Sequence, residues 1–201
     1  MNLQKTVENL KKRGFTVSVY PDKTTAAKAI AAAVQNKSIG VGGSMTIRAM
    51  GLLPMLEANG NRVITFASPL QDRTAILRDS AAADVYLTSA NGIAETGEIV
   101  NIDGTGNRVA STLFGHEKLY IIAGINKIVP DLEGAIRRAR NIASPLNARR
   151  LERKTPCAVG ELKCHDCQSP ERICRGLTVL MTPMGGIGET EVVLIEEELG
   201  Y

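Results

Sequence analysis

The stretch SIGVGGSMTIRAM, from Ser38 to Met50, contains the unit that decides the fold. It begins with a short apolar run that is typical of a buried strand. Glycines follow, and Ser44 belongs to the residue types that commonly cap the first turn of a helix. The stretch therefore predicts a strand, a tight turn and a helix, which is the repeating unit of α/β proteins.

The residues on both sides of this stretch repeat the alternation. The predicted elements are, in chain order, a helix over 2–13, a strand over Phe15–Tyr20, a helix to about Gln35, a strand over Arg62–Ala67, a helix over roughly Leu70–Ala82, and strands over Asp84–Ala90, Glu98–Ile102 and Lys118–Ile125. Pro54 is expected to kink or divide the helix that Ser44 opens. The pattern predicts an α/β fold, with a mainly parallel sheet flanked by helices.

The C-terminal third has a different organisation. Pro130 and Asp131 start a predicted helix, and a second helix around Pro145–Arg153 leads into a cysteine-rich segment. Two apolar runs follow, joined by the glycine-rich loop PMGGIG, and they predict an antiparallel hairpin that closes the sheet. We therefore expect a core over 1–153, a cysteine-rich insertion over 154–176, and a closing hairpin over 177–201.

Composition narrows the classes of function. Aromatic residues make up 3% of the chain and the net charge is +3, so stacking on nucleic acid and a polyanionic partner have little support. The chain has no run of eighteen apolar residues, which predicts no membrane span. Its first residues lack the apolar region of a secretory signal, so we expect a cytoplasmic protein.

The turn GVGGSMT, Gly40 to Thr46, has the form of an anion site. Gly42 and Gly43 would let a ligand approach the backbone, and Ser44 stands where the N–H groups of a helix start. The turn lacks the lysine of a P-loop and the third glycine of a dinucleotide fingerprint. A tight turn with a serine cap is the alternative interpretation.

Two loops after predicted strands supply further candidates. In TSANGIAETGEIV, Thr88 to Val100, Glu95 is a candidate general base or nucleophile, while Thr96 and Asn91 could donate or accept hydrogen bonds. A solvated loop acid beside an ordinary turn is the alternative. In NIDGTGNRV, Asn101 to Val109, a hairpin turn is the simplest interpretation, but the following residues can face the same cleft. Its candidates are Asp103, Asn107 and Arg108, the last as a partner for a carboxylate or phosphate.

A basic run covers both helices before the cysteine-rich segment. It consists of Arg137, Arg138, Arg140, Arg149, Arg150, Arg153 and Lys154. We interpret it as a solvated face, with an anionic substrate or a partner as the alternative.

All four cysteines lie within one short segment. They are Cys157, Cys164, Cys167 and Cys174, spaced C-x6-C-x2-C-x6-C. Four thiolates match the ligand set of tetrahedral zinc or of a [4Fe–4S] cluster, and disulfides are uncommon in the cytosol. Zinc usually sits between two C-x2-C knuckles, and this segment has one. We therefore expect an iron–sulfur cluster in preference to zinc.

Several of these motifs together resemble a known family. SIGVGGSMT, ADVYLTSANGIAETGEIV, DGTGNRVA, KLYIIAGINKIV and the ending EELGY look like the LUD domain of lactate utilization proteins, over nearly the whole chain. IAETG is the most specific of these motifs. The resemblance implies a fold similar to the sugar-phosphate isomerase and CoA-transferase superfamily. It also implies a part in oxidising L-lactate to pyruvate, in a complex whose other subunits carry iron–sulfur clusters.

Two departures accompany the resemblance. The related CoA-transferases carry their catalytic glutamate in a Ser-Glu-Asn-Gly motif, where this chain has Ser89-Ala90-Asn91-Gly92. Ala90 excludes a transferase mechanism through that position. The cysteine segment departs from the smallest subunit of the lactate utilization system.

Three hypotheses follow. The first is a protein of small hydroxy- or keto-acid metabolism that binds an anionic substrate and an iron–sulfur cluster, in an oxidoreductase system with redox partner subunits. The second is an isomerase or transferase with structural zinc. The third is a non-catalytic ligand-binding subunit. A homodimer is compatible with each.

Overall fold

A computed structural model of the chain describes residues 1–65 and 72–201. The helices there are α1 (Leu3–Lys12), α2 (Lys23–Ala33), α3 (Met45–Met50), α4 (Leu52–Ala58), α5 (Arg73–Ala81), α6 (Asn107–Ser111), α7 (Leu132–Arg138), α8 (Ser144–Arg150) and α9 (Pro156–Val159). The strands are β1 (Thr16–Tyr20), β2 (Ser38–Val41), β3 (Arg62–Ile64), β4 (Val85–Thr88), β5 (Gly92–Ala94), β6 (Ile99–Asp103), β7 (Lys118–Gly124), β8 (Ile128–Val129), β9 (Gly176–Leu180) and β10 (Glu189–Ile195). The end of the predicted strand Arg62–Ala67 and the start of the predicted helix Leu70–Ala82 lie outside the described residues.

The main sheet has six strands in the order β1-β10-β7-β4-β2-β3, and every neighbouring pair is parallel. This confirms the predicted α/β class and its parallel sheet. The central strands β7 and β10 are almost continuously apolar because helices cover both faces of a parallel sheet.

Alternate residues of the central strands enter two separate cores. On one face, Val193 and Ile195 pack with residues of α2, α3 and α4. On the other face, Val192 and Leu194 pack with Leu10 of α1. This alternation follows from the two-residue period of a strand, and it fixes the register of β10 between β1 and β7.

A second sheet has the order β8-β5-β6-β9 and is covered by α7. β9 pairs antiparallel with β6, whereas β10 pairs parallel with β1 and β7. The predicted closing hairpin is therefore wrong: the glycine-rich loop carries the chain from one sheet to the other. The run TEVVLI is apolar at successive positions, as suits a strand that is buried on both faces.

The helix that Ser44 opens is divided at Gly51, not at Pro54. Gly51 has a φ of 64°, a left-handed conformation that glycine adopts readily, and it ends α3. Pro54 lies in the first turn of α4, where its missing N–H would have no partner in the helix. The Ser44 hydroxyl accepts a hydrogen bond from the backbone N–H of Ile47 at 3.2 Å, as expected of the cap.

A π-helical segment, Ala139–Ala143, joins α7 to α8. Pro145 lies two residues after its end and cannot donate a backbone hydrogen bond to the preceding turn, which accounts for the wider winding.

The topology places a crevice at the carboxyl end of β2. Its neighbours β3 and β4 lie on opposite sides of it, so the chain connections diverge at that point. Ligands of open α/β sheets bind at such a position.

Candidate functional site

A cleft of about 1040 Å³ opens at the carboxyl edge of the main sheet. Residues that follow β2, β4, β6 and β7 form its floor, and residues of α8 and of the cysteine segment form its walls. Eight basic side chains line it, namely Arg48, Arg73, Arg108, Lys127, Arg150, Arg153, Arg172 and Arg175. Its acidic side chains are Asp103 and Glu171. The cleft therefore has a strongly positive lining that suits an anion.

Lys127 is the most enclosed of these basic groups. It ends a short 3-10 turn, Ile125–Lys127, directly after β7, and it is 3% exposed. Its Nζ donates hydrogen bonds to Ser89 Oγ at 2.8 Å and to Thr46 Oγ1 at 2.9 Å. Ser89 follows β4 and Thr46 follows β2, so the ends of three adjacent strands converge on one amine.

The electrostatic surroundings of Lys127 favour its neutral form. Burial lowers the pKa of Lys127 to about 7, and the positive charges of Arg138 and Arg108 add to the effect. Within the described parts of the chain, no carboxylate lies at ion-pair distance from its Nζ. A buried lysine that contacts hydroxyls alone gains little to offset the loss of hydration.

Arg108 lies partly exposed in the cleft and is held by neutral acceptors. Its Nη1 donates to Asn101 Oδ1 at 3.0 Å, and its Nη2 donates to Asn91 Oδ1 at 3.3 Å and to the carbonyl of Ile102. Asp103 does not pair with the guanidinium of Arg108. Its Oδ2 accepts a hydrogen bond from the backbone N–H of Arg108 at 3.0 Å and so holds the start of α6. Burial lowers the pKa of Arg108, and the charge of Asp103 opposes that shift.

Arg138 is a second buried cation, at the end of α7. Its Nη1 donates to the carbonyl of Asn91 at 2.5 Å, and its Nε donates to the carbonyl of Asn126 at 3.1 Å. Burial lowers the pKa of Arg138. Arg138 does not belong to the cleft lining, but its positive charge, like that of Arg108, contributes to the lowered pKa of Lys127.

The glycine turn forms the opposite part of the floor. Gly43 lines the cleft, and a Cβ added there would meet no atom within 4 Å, so a ligand can approach the backbone. A Cβ on Gly42 would lie 3.1 Å from Arg108 Cγ, so Gly42 leaves room for that arginine. Ser44 also lines the cleft. Because α3 has only six residues, the positive character of the cleft comes from its basic side chains and not from the start of this helix.

The predicted ligand-binding residues all lie in or beside the cleft. Gly43, Ser44, Asn91, Asp103, Asn107 and Arg108 all line the cleft, and Gly42 lies under Arg108. Their role in binding stays a prediction. Ala90 lies in the cleft as well, so the position of the transferase glutamate holds no carboxylate here.

Glu95 and Thr96 lie outside the lining of the cleft. Glu95 is 7% exposed and accepts hydrogen bonds from the backbone N–H of Asn2 at 2.7 Å and from Lys5 Nζ at 3.3 Å. Burial alone would raise the pKa of Glu95, but these two donors outweigh it and hold the pKa below its usual value. The Thr96 carbonyl accepts from Arg13 Nε at 2.7 Å. These contacts anchor α1 to the second sheet, and the predicted catalytic role stays a prediction.

The basic run is not a uniformly solvated face. Arg138 is buried, and Arg150 and Arg153 line the cleft. Arg150 Nε donates to the Tyr201 hydroxyl at 2.8 Å and to Asn147 Oδ1 at 3.1 Å, both neutral acceptors. The alternative, a basic face that meets an anion, stays a prediction for Arg150 and Arg153, while Arg138 bonds to backbone carbonyls.

The cysteine segment forms one wall of the cleft through Pro170–Ile173 and Arg175. Arg172 holds the loop together: its Nη1 donates to the carbonyl of Cys167, and its Nε to that of Cys174, both at 2.9 Å. Arg140 Nη2 approaches Cys164 Sγ at 3.5 Å. All four cysteines are free and partly exposed.

The described residues do not assemble a metal site in this segment. Over 1–65 and 72–201, no three side chains of His, Cys, Asp or Glu come together as a ligand set for a metal ion. A cluster would need the loop after α9 to rearrange, and the iron–sulfur hypothesis stays a prediction. In the same part of the chain, no helix has the length and apolar character that crossing a bilayer requires.

Sequence reasoning missed Lys127, although a signal for it is present. INKIV places a lysine directly after the strongly apolar strand β7, at the sheet edge where ligands bind. A charged residue at that point is a candidate whenever the strand before it is buried on both faces.

Comparisons with known proteins agree with this architecture. The LUD domain model matches residues 3–195. A crystal structure of a DUF162 family protein from Deinococcus radiodurans is similar, with a TM-score of 0.55 and 17% identity over 96% of this chain and 95% of that chain. At that identity, the likeness shows the fold. A search of curated proteins gave no match. Because the family model spans nearly the whole sequence, the chain belongs to the LUD domain family, which is associated with lactate utilization.

Proposed function

We propose that this protein binds a small organic anion of the 2-hydroxy- or 2-oxo-acid class in the cleft at the carboxyl edge of the sheet. The observation that carries the proposal is the amine of Lys127, which is buried, is bonded to two hydroxyls and has a pKa lowered by burial and by the charges of Arg138 and Arg108. Burying positive groups without a carboxylate costs free energy that a bound anion recovers. The family's association with lactate utilization supports the choice of ligand class.

Chemistry on a bound acid needs a group that exchanges a proton near neutral pH. Lys127 meets that condition because burial lowers its pKa to about 7. Arg108, Arg150 and Ser44 line the same cleft and are available for the carboxylate. We place the chain in an oxidoreductase system with redox partner subunits, with the acid bound here.

Calorimetric titration with pyruvate, L-lactate and the neutral analogue lactamide tests this proposal. We expect the two acids to bind and lactamide not to bind, because the cleft selects a negative charge. Arg150→Gln should weaken binding by about tenfold, which corresponds to about 1.4 kcal/mol. Arg62→Gln is the control, since Arg62 is an exposed arginine paired with Asp79. Binding of lactamide as tight as that of lactate would overturn the proposal.

We further propose that the four cysteines bind an iron–sulfur cluster, in preference to zinc. The spacing, the free thiols and the place of the segment in the cleft wall support this. Protein purified without oxygen should be brown, because thiolate-bound iron–sulfur absorbs visible light. Cys164→Ser should lose the cluster. Colourless protein with stoichiometric zinc would contradict the cluster and favour a structural metal.

A further inference from the structure

The amine of Lys127 has an unusual set of hydrogen-bond partners. Ser89 Oγ donates to Thr46 Oγ1 at 3.3 Å, and Thr46 Oγ1 donates to the carbonyl of Leu199 at 3.1 Å. Both hydroxyl protons are thereby engaged, so the two oxygens accept hydrogen bonds from Lys127. In the neutral amine, both N–H groups are then used as donors. Its lone pair has no partner among the described residues.

A neutral lysine with an unengaged lone pair is a nucleophile toward carbonyl carbon. Burial and the charges of Arg138 and Arg108 lower the pKa of Lys127 to about 7, so a large fraction of the amine is neutral at physiological pH. Arg108 lines the cleft and is available for the carboxylate of an incoming acid. An acid whose carbonyl is adjacent to its carboxylate would bring that carbonyl toward the amine.

We propose that Lys127 forms an imine with the carbonyl carbon of a 2-oxo acid bound in the cleft. This inference rests on the proposed function, since it concerns the same cleft and one of its two ligand classes. It adds a covalent role for one side chain and distinguishes 2-oxo acids from 2-hydroxy acids.

The reaction balances without an oxidant or reductant. The lone pair of Nζ attacks the carbonyl carbon and forms the C–N bond, while the carbonyl π electrons move to oxygen. Nitrogen loses a proton and the oxygen gains one, which gives a carbinolamine. The oxygen then takes a second proton from solvent, the C–O bond breaks to release water, and the nitrogen lone pair forms the C=N bond of a protonated imine. The Ser89 hydroxyl, 2.8 Å from Nζ, is placed to pass protons between nitrogen and oxygen.

Reductive trapping tests the imine. The full chain is incubated with pyruvate and sodium cyanoborohydride, which delivers hydride to an iminium carbon and leaves a stable secondary amine. We expect a single adduct, which peptide mapping assigns to Lys127. L-lactate has no carbonyl and should give none. Trapping should accelerate as the pH rises through about 7, where the amine becomes neutral, and should slow again in alkaline solution, where the imine loses the proton that its reduction requires.

Matched variants separate this reaction from general lysine reactivity. Lys127→Met and Lys127→Arg should lose the adduct, and the arginine keeps a cation at the site if methionine perturbs folding. Lys28→Met should keep the adduct, because Lys28 is an exposed lysine of α2. Pyruvate that binds in calorimetry without labelling Lys127 would overturn the imine and leave the proposed function intact. Absence of both binding and labelling would overturn both. Equal labelling of Lys28 and Lys127 would also overturn the imine.

Discussion

Strand β7 begins with one lysine and is followed by another, and the two have opposite surroundings. Lys118, at the amino end, contacts Glu191 at 2.8 Å and Glu189 at 3.1 Å. Burial would lower the pKa of Lys118, but these carboxylates outweigh it and raise the pKa. Lys127, beyond the carboxyl end, contacts two hydroxyls, and its pKa is lowered to about 7. Lys118 is thus paired with two carboxylates, whereas Lys127 is bonded to two hydroxyls at the edge where we propose that an anion binds.

The largest expected difference between the two lysines is in ligand affinity. Lys127→Met should raise the Kd for pyruvate by about 30-fold or more, which corresponds to about 2 kcal/mol, because it removes the innermost cation or nucleophile. Lys118→Met should leave the Kd within about twofold, since Lys118 lies at the other edge. Calorimetry on the two variants measures these affinities, and equal losses of affinity would show that the two lysines do not differ in ligand binding.

The second expected difference is in the free energy of unfolding, which Lys127→Met should raise and Lys118→Met should lower. The unfolded chain holds the Lys127 proton up to about 10.5 and the folded chain up to about 7, so the wild-type free energy of unfolding rises with pH between these values. Below about 7 the full cost of the buried charge is present. Lys127→Met should therefore stabilise the protein by roughly 2 kcal/mol at about pH 6, and the gain should shrink as the pH approaches 10.

Lys118→Met should instead destabilise the protein by about 1 kcal/mol, since it leaves Glu191 largely enclosed without its partner. Urea unfolding of both variants over this pH range gives the two free energies. A Lys127→Met variant less stable than wild type at about pH 6 would show that this lysine is a structural group.

The smallest expected effect on ligand binding comes from Glu95→Gln. Because Glu95 contacts Asn2 and Lys5 and lies outside the cleft lining, pyruvate affinity should stay within about twofold of wild type. At about pH 7, where the carboxylate of wild type is charged, the variant should have a lower midpoint of thermal unfolding than wild type. The gap should close as the pH falls below 4.5, since the folded pKa of Glu95 lies below that value. If Glu95→Gln abolished catalytic turnover and left the stability unchanged, the result would support the catalytic role of Glu95 that the sequence predicts.

Local signals in the sequence were sufficient for most elements of the fold. Ser44 marks the start of α3, and the apolar run of β7 marks a buried strand, because capping and periodicity act over a few residues. The partners of β9 and β10 could not be predicted in this way. Each strand pairs with residues far away in the chain, and the glycine-rich loop between them is equally compatible with a hairpin and with a crossing between sheets.

In the candidate site, too, residues in local motifs could be predicted, whereas those that depend on distant contacts could not. Asn91, Asp103 and Arg108 come from glycine-rich motifs of the sequence, and they do line one cleft. The hairpin turn expected at Asp103-Gly104 is wrong, because Asp103 ends β6 and the chain continues into α6, which contains Arg108. Glu95 stands in the most specific motif, yet it contacts α1, which no local pattern indicates. Lys127 looks like an ordinary lysine in the sequence, because its burial and its lowered pKa come from residues on three other elements.

A crystal structure of the protein in complex with pyruvate is the most direct test of whether a 2-oxo acid binds beside Lys127. We expect pyruvate in the cleft at the carboxyl edge, within bonding or hydrogen-bonding distance of Lys127 Nζ, with its carboxylate facing Arg108. Pyruvate bound elsewhere, with the surroundings of Lys127 unchanged, would contradict it.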